Sequence, residues 1–129
     1  MRTVMVEDYE RMTRTLISKG LKREDYLVFE SADRDTALAM IREITPDVVI
    51  MDMMMPDVDG FTLAGEMRRS TYLPAEIPIL IISGFPLDNF QSESPRCEIN
   101  AFNNKPFNVT ELVDKVLQQA MGGCALLPL

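Results

Sequence analysis

Hydrophobic positions along this chain fall into short continuous runs separated by longer stretches with helical spacing. Thr3–Val6 (TVMV), Tyr26–Glu30 (YLVFE), Val48–Met51 (VVIM) and Pro78–Ile82 (PILII) are rich in strand formers, and Ala101–Asn103 is a weaker fifth run. Between them, Met12, Leu16 and Ile17 mark a helix from Tyr9 to about Leu21, with Gly20 as its stop signal. Ala37, Leu38, Met40 and Ile41 mark a second, with Asp33 as its cap and Pro46 beyond its end. Phe61, Leu63, Ala64 and Met67 mark a third after the punctuation of Pro56 and Gly60. Leu112, Val113, Val116 and Leu117 give the apolar face of a last helix over Thr110–Met121, ended by Gly122-Gly123. Runs that are apolar at successive positions belong to strands buried on both faces, which is the signature of a parallel sheet with helices on each side. The alternation predicts an α/β fold: a five-stranded, doubly wound parallel sheet.

One segment departs from this alternation. A helix belongs between the fourth and fifth strands, yet Pro86–Asn100 (PLDNFQSESPRCEIN) has few apolar residues and carries Pro95 in its middle. An interior proline costs a helix about 3 kcal/mol, so an irregular or shortened fourth helix is expected there. The reading divides the chain into one domain over residues 1–121 and a tail over 122–129, whose apolar end, Cys124–Leu129, has no interpretation from pattern alone.

Composition narrows the function classes. At 129 residues, 47% hydrophobic and 26% charged, the chain has the balance of one globular domain. No apolar run approaches the roughly 20 residues that cross a bilayer, and Glu7 and Asp8 interrupt the N-terminal run too early for a secretory signal. A cytoplasmic location with no membrane partner is expected. A net charge of −7 argues against nucleic-acid binding, which needs clustered Lys and Arg. Cys97 and Cys124 are too few for a disulfide framework or a zinc site and read as free thiols, and the absence of histidine removes every His-based catalytic or metal arrangement.

In an open parallel sheet, ligands bind at the carboxyl ends of the strands, where strand order reverses. Glu7 and Asp8 follow the first strand, Asp52 ends the third, Ser83 ends the fourth and Lys105 follows the fifth. Three carboxylates converging without a cation would repel one another, and hard oxygen ligands point to Mg²⁺ or a similar ion. One carboxylate can then act as nucleophile toward phosphorus while a lysine holds the phosphoryl oxygens.

The stretches VMVEDYERM, PDVVIMDMMMPDVDG, ILIISG and NKPF, in this order, resemble the response-regulator receiver family. Asp52 to Ser83 is 31 positions and Ser83 to Lys105 is 22, both typical of that family, and the resemblance runs from about Thr3 to Gln119. It implies the flavodoxin-like strand order 2-1-3-4-5. It also implies that Asp52 is the phosphoacceptor, and that Asp8, Asp52 and the Met54 backbone carbonyl hold Mg²⁺, with Glu7 acting directly or through water. Ser83 matches the hydroxyl that bonds the phosphoryl group, Lys105 the ammonium that pairs with it, and Phe102 the aromatic switch residue. Lys105–Pro106 matches a peptide bond commonly cis in the family. Asp57 and Asp59 shape the turn ending at Gly60 and stay off the metal.

The resemblance implies a self-phosphorylating signalling domain rather than a conventional enzyme. Its partners would be a histidine kinase or phosphotransfer protein upstream and a protein target downstream, and it allows a homodimer through the last strand and helix. Two rivals belong to other classes. A haloacid-dehalogenase-type phosphatase needs a second Asp two positions after the nucleophile, where this chain has Met54. A pseudo-receiver would act as a phosphorylation-independent interaction module.

Overall fold

The computed structural model describes residues 2–70, 77–84, 101–104, 108–121 and 127–128. Strands β1 (Thr3–Glu7), β2 (Leu27–Ser31), β3 (Val48–Asp52), β4 (Ile79–Ser83), β5 (Ala101–Asn104) and β6 (Leu127–Pro128) form one sheet in the order β2-β1-β3-β4-β5-β6. Every pairing is parallel. Helices α1 (Arg11–Arg23), α2 (Arg34–Ile44), α3 (Gly60–Arg69) and α4 (Val109–Met121) complete the described elements. The expected order 2-1-3-4-5 is present, with β6 added outside β5 from the stretch that pattern alone left uninterpreted.

Two apolar clusters sandwich the sheet. Met5, Val49, Met51, Ile79 and Ile81 pack against Ala37 and Ile41 of α2 and Leu63, Ala64 and Met67 of α3. The alternate residues Val4, Val6, Val48, Ile50, Leu80 and Ile82 pack against Ile17 and Leu21 of α1 and Leu112, Val113 and Val116 of α4. Alternation along a strand sends neighbours to opposite faces, which explains why β3 and β4 are buried at every position. Each fully buried aliphatic side chain stabilises the fold by roughly 1.5–3 kcal/mol.

One local expectation holds with its stated cause: Asp33 caps α2, its carboxylate accepting from the Thr36 N–H at 2.8 Å. Asp59, read as shaping the turn, also caps α3 by accepting from the Thr62 N–H at 2.7 Å. The readings of Gly20 and Leu117 are corrected. Gly20 does not stop α1, which continues to Arg23. Its missing side chain instead lets α4 approach, since a Cβ there would lie 2.3 Å from Val109 Cγ1. Met12 (81% exposed) and Leu16 (53%) point out of the core, which α1 enters through Ile17 and Leu21. Leu117, placed by pattern on the buried face of the last helix, is 39% exposed. Segment 86–100, the Gly122-Gly123 stop and both cysteines lie outside the described residues.

Candidate functional site at the carboxyl ends of the strands

The parallel register brings the acidic residues to one end of the sheet. Val6 pairs with Ile50 and Glu7 with Met51, so the next step past the end of β1 sets Asp8 level with Asp52 on the adjacent strand. Both residues continue the parity of Val6 and Ile50, the α1/α4 side of the sheet. Both are buried, Asp8 fully and Asp52 to 6% exposure. Asp52 in turn pairs with Ile82 on β4, so Ser83 lies one step beyond it, fully buried, and pairs with Asn104 on β5. Lys105 follows Asn104 directly in the sequence.

Local hydrogen bonds fix the two ends of this row. The Asp8 N–H donates to the Ser31 carbonyl at 3.0 Å, extending the β1–β2 ladder by one residue. Its carboxylate accepts from the Glu10 N–H at 2.8 Å, and its carbonyl accepts from the Arg14 guanidinium at 2.7 Å. Those bonds tie Asp8 to the start of α1. On β3, the Met53 N–H donates to the Ile82 carbonyl at 2.7 Å and the Gly60 N–H to the Met53 carbonyl at 2.7 Å. The second bond closes a tight loop in which Met54 and Asp59 form an antiparallel bridge. Because the bonding groups flank the bridged pair, the bridge leaves the Met54 carbonyl out of it. The Met54 side chain is 57% exposed.

Glu7 behaves differently from its neighbour. Parity puts it on the α2/α3 side with Met5, where it is fully buried and neither carboxylate oxygen has a hydrogen-bond partner. Burial pushes its carboxyl up to about 7; the nearby Ser31 hydroxyl works the other way, and the charges of Asp33, Asp57 and Asp8 add to the rise. The Ser31 hydroxyl itself donates to the Asp33 carbonyl at 3.0 Å. The adjacent acids read together from the sequence thus face opposite sides of the sheet.

A family model for the response regulator receiver domain matches residues 4–117. The chain belongs to the response-regulator receiver family. The regulatory protein VanRc of Enterococcus gallinarum is 30% identical over 116 residues, which are 90% of this chain and 48% of that protein. The chain therefore spans about half the length of the curated relatives it matches. Among solved structures, the chemotaxis response regulator CheY4 of Vibrio cholerae superposes with a TM-score of 0.81 at 28% identity, covering 93% of this chain and 98% of that one. The response regulator TrrA of Thermotoga maritima, solved with Mg(2+)-BeF, gives 0.79 at 26% identity over 92% and 99%. The chain is thus a receiver domain of two-component systems, a signalling domain on the flavodoxin-like fold that the sequence pattern implied.

The row of site residues is partly on view. Glu7, Asp8, Asp52, Met54 and Ser83 all lie at or just beyond the carboxyl ends of β1, β3 and β4, with Glu7 on the other sheet face by strand parity. Lys105, Pro106 and the side chain of Phe102 lie outside the described residues. Among the described residues, no three His, Cys, Asp or Glu side chains close around a common point as a metal cage. The donors nonetheless suit Mg²⁺, which is held through one or two carboxylates and keeps several waters. Asp8 and Asp52 supply that number.

Sequence reading missed two positioning features. Gly60, taken as loop punctuation, is where α3 abuts β3: a Cβ there would stand 2.8 Å from the Asp52 carbonyl oxygen, 2.9 Å from Ile81 Cδ1 and 3.0 Å from Met53 Cα. Asp57 accepts from the Arg34 N–H at 3.2 Å, and the Arg34 guanidinium grips Glu66 at 2.6 Å. These contacts tether the loop after Asp52 to α2, and α2 to α3. A glycine one position after a capping Asp was the signal for the first; nothing local marked the second.

Proposed function

We propose that this receiver accepts a phosphoryl group on Asp52 from a histidine kinase or phosphotransfer protein, with Mg²⁺ held by Asp8, Asp52 and the Met54 carbonyl. The observation that carries the reading is the pair of buried carboxylates, Asp8 and Asp52, set level on adjacent parallel strands at the ligand-binding end of the sheet. A bound divalent cation supplies charge neutralisation, allowing two carboxylates and a phosphoryl group to share one small space.

The chain's own residues do the remainder. An Asp52 carboxylate oxygen attacks phosphorus in line, the new O–P bond forms, and the P–N bond to the donor histidine breaks with its electron pair leaving on nitrogen. Asp52 ends β3, where its pairing with Ile82 and the bond from the adjacent Met53 N–H to the Ile82 carbonyl hold the backbone in place, which limits reorganisation during attack. Lys105 pairs with a phosphoryl oxygen, and Ser83 donates its hydroxyl to another. Water later attacks phosphorus and restores the carboxylate. The group's added charge shifts the population of states at β4, β5 and the segment between them, and so changes the surface offered to a downstream protein. Phe102 is assigned the aromatic switch role on β5. In this reading the domain works in the cytoplasm.

Beryllium fluoride, which mimics a phosphoryl group on a carboxylate, tests the assignment by two-dimensional NMR. Amide shifts at Asp52, Met53, Ser83 and Asn104 are expected only when Mg²⁺ and beryllium fluoride are both present. No shift in any combination would replace this reading with that of a phosphorylation-independent interaction module.

A further inference from the structure

The sheet has one strand more than the alternation of the sequence provides. Without β6, β5 would be an edge, and its sequence AFNN has none of the usual protections of an edge strand: no charge, no proline. An uncharged edge invites another strand. In the structure that place is taken by Leu127–Pro128, which pairs with Ala101 and Phe102. We propose that the β5 edge is a strand-accepting surface which Leu127–Pro128 occupies in cis, excluding the equivalent segment of a second copy of this chain.

Three observations support the assignment. First, β5, α4 and β6 form one more parallel strand–helix–strand unit, the same connection that builds the rest of the sheet, so the chain delivers β6 in the orientation the edge accepts. Second, the stretch Ala125–Leu129 (ALLPL) is apolar and uncharged, matching β5 in chemistry. Third, the ladder is short. Pro128 has no N–H to donate, and in a parallel ladder the two bonds of a bridge straddle one partner. At the pairing of Leu127 with Ala101, the straddled residue must then be Leu127, so the Phe102 N–H is directed at the Leu127 carbonyl. A cap held by so few bonds opens far more readily than an interior strand. It also lies one strand away from β4, whose Ser83 pairs with Asn104 at the end of β5. The edge is therefore sealed by a displaceable segment beside the site end of the sheet.

Hydrogen–deuterium exchange of the full chain, read residue by residue, tests this together with light scattering. In the unaltered chain the Phe102 amide should be protected and the chain monomeric. Leu127→Pro, which takes a backbone donor from the cap, should raise Phe102 exchange by at least about tenfold, and excess peptide ALLPL, the sequence of Ala125–Leu129, should then restore Phe102 protection by filling the vacated edge from solution. Amides of β1 and β3 should keep their protection, showing that the domain remains folded. Exchange of Phe102 at the rate of an open edge in the unaltered chain would overturn the proposal. So would protection that disappears on dilution of the unaltered chain, because the edge would then be filled by a second copy.

Discussion

At the residue scale, the clearest feature is a division of labour between adjacent acids. Asp8 and Glu7 are neighbours in sequence, yet strand parity sends one toward Asp52 and the other toward the α2/α3 core. The Glu7 carboxyl has its titration pushed up to about 7, and its oxygens are unpartnered. Burial disfavours its charged form, so the folded state holds a proton that the unfolded chain releases near pH 4.5. Between about 4.5 and about 7 the native state binds more protons than the unfolded one, so stability falls as pH rises through that window and levels off above it. The cost at pH 8 is on the order of 3 kcal/mol. Denaturant melts of the metal-free protein from pH 4.5 to 8 should show this decline, and Glu7→Gln should flatten it and raise stability at pH 8. A wild-type curve that rises over the same range would assign Glu7 a charged, partnered state.

At the scale of elements, the site depends on how α3 is seated against the end of β3. Gly60 is the contact point. Adding one methyl group there meets backbone at Asp52 and Met53 as well as the Ile81 side chain, and backbone cannot rotate away. Gly60→Ala should therefore destabilise the fold by about 1–3 kcal/mol and displace Asp52, lowering its phosphorylation rate more than the stability loss alone would. Pairing a urea melt with a phosphorylation time course checks both parts. Unchanged stability and rate would mean that the helix has room to retreat.

The same contact shows what was legible in the sequence. β3 and β4 were readable because burial on both faces leaves a continuous apolar run, and α2 because Asp33 announces its start. Asp52, Asp8 and Ser83 were readable because strand ends in a parallel sheet share one side. Gly20 was misread as a stop because its purpose is set by Val109, distant in sequence, whereas Gly60 does end the loop before α3 and has a second purpose, set by the end of β3 and by Ile81 of β4. Met12 and Leu16 marked α1 by their spacing, which gives a face but not which stripe of that face meets the sheet. β6 was invisible: two residues, one of them proline, carry no strand pattern.

At the scale of the whole molecule, a six-stranded sheet covered on its α1/α4 and α2/α3 faces carries the candidate site at one end. Two clusters of buried aliphatic side chains hold β1, β3 and β4 in fixed register, and that register aligns Asp8, Asp52 and Ser83. In the proposed function, this alignment makes Asp52 a Mg²⁺-dependent phosphoacceptor. Intact-mass measurement after incubation with acetyl phosphate, with and without Mg²⁺, tests that role. An adduct of one phosphoryl group is expected that requires Mg²⁺, is abolished by Asp52→Asn and is strongly reduced by Asp8→Asn. An adduct that survives Asp52→Asn, or no adduct at any Mg²⁺ concentration, would contradict it.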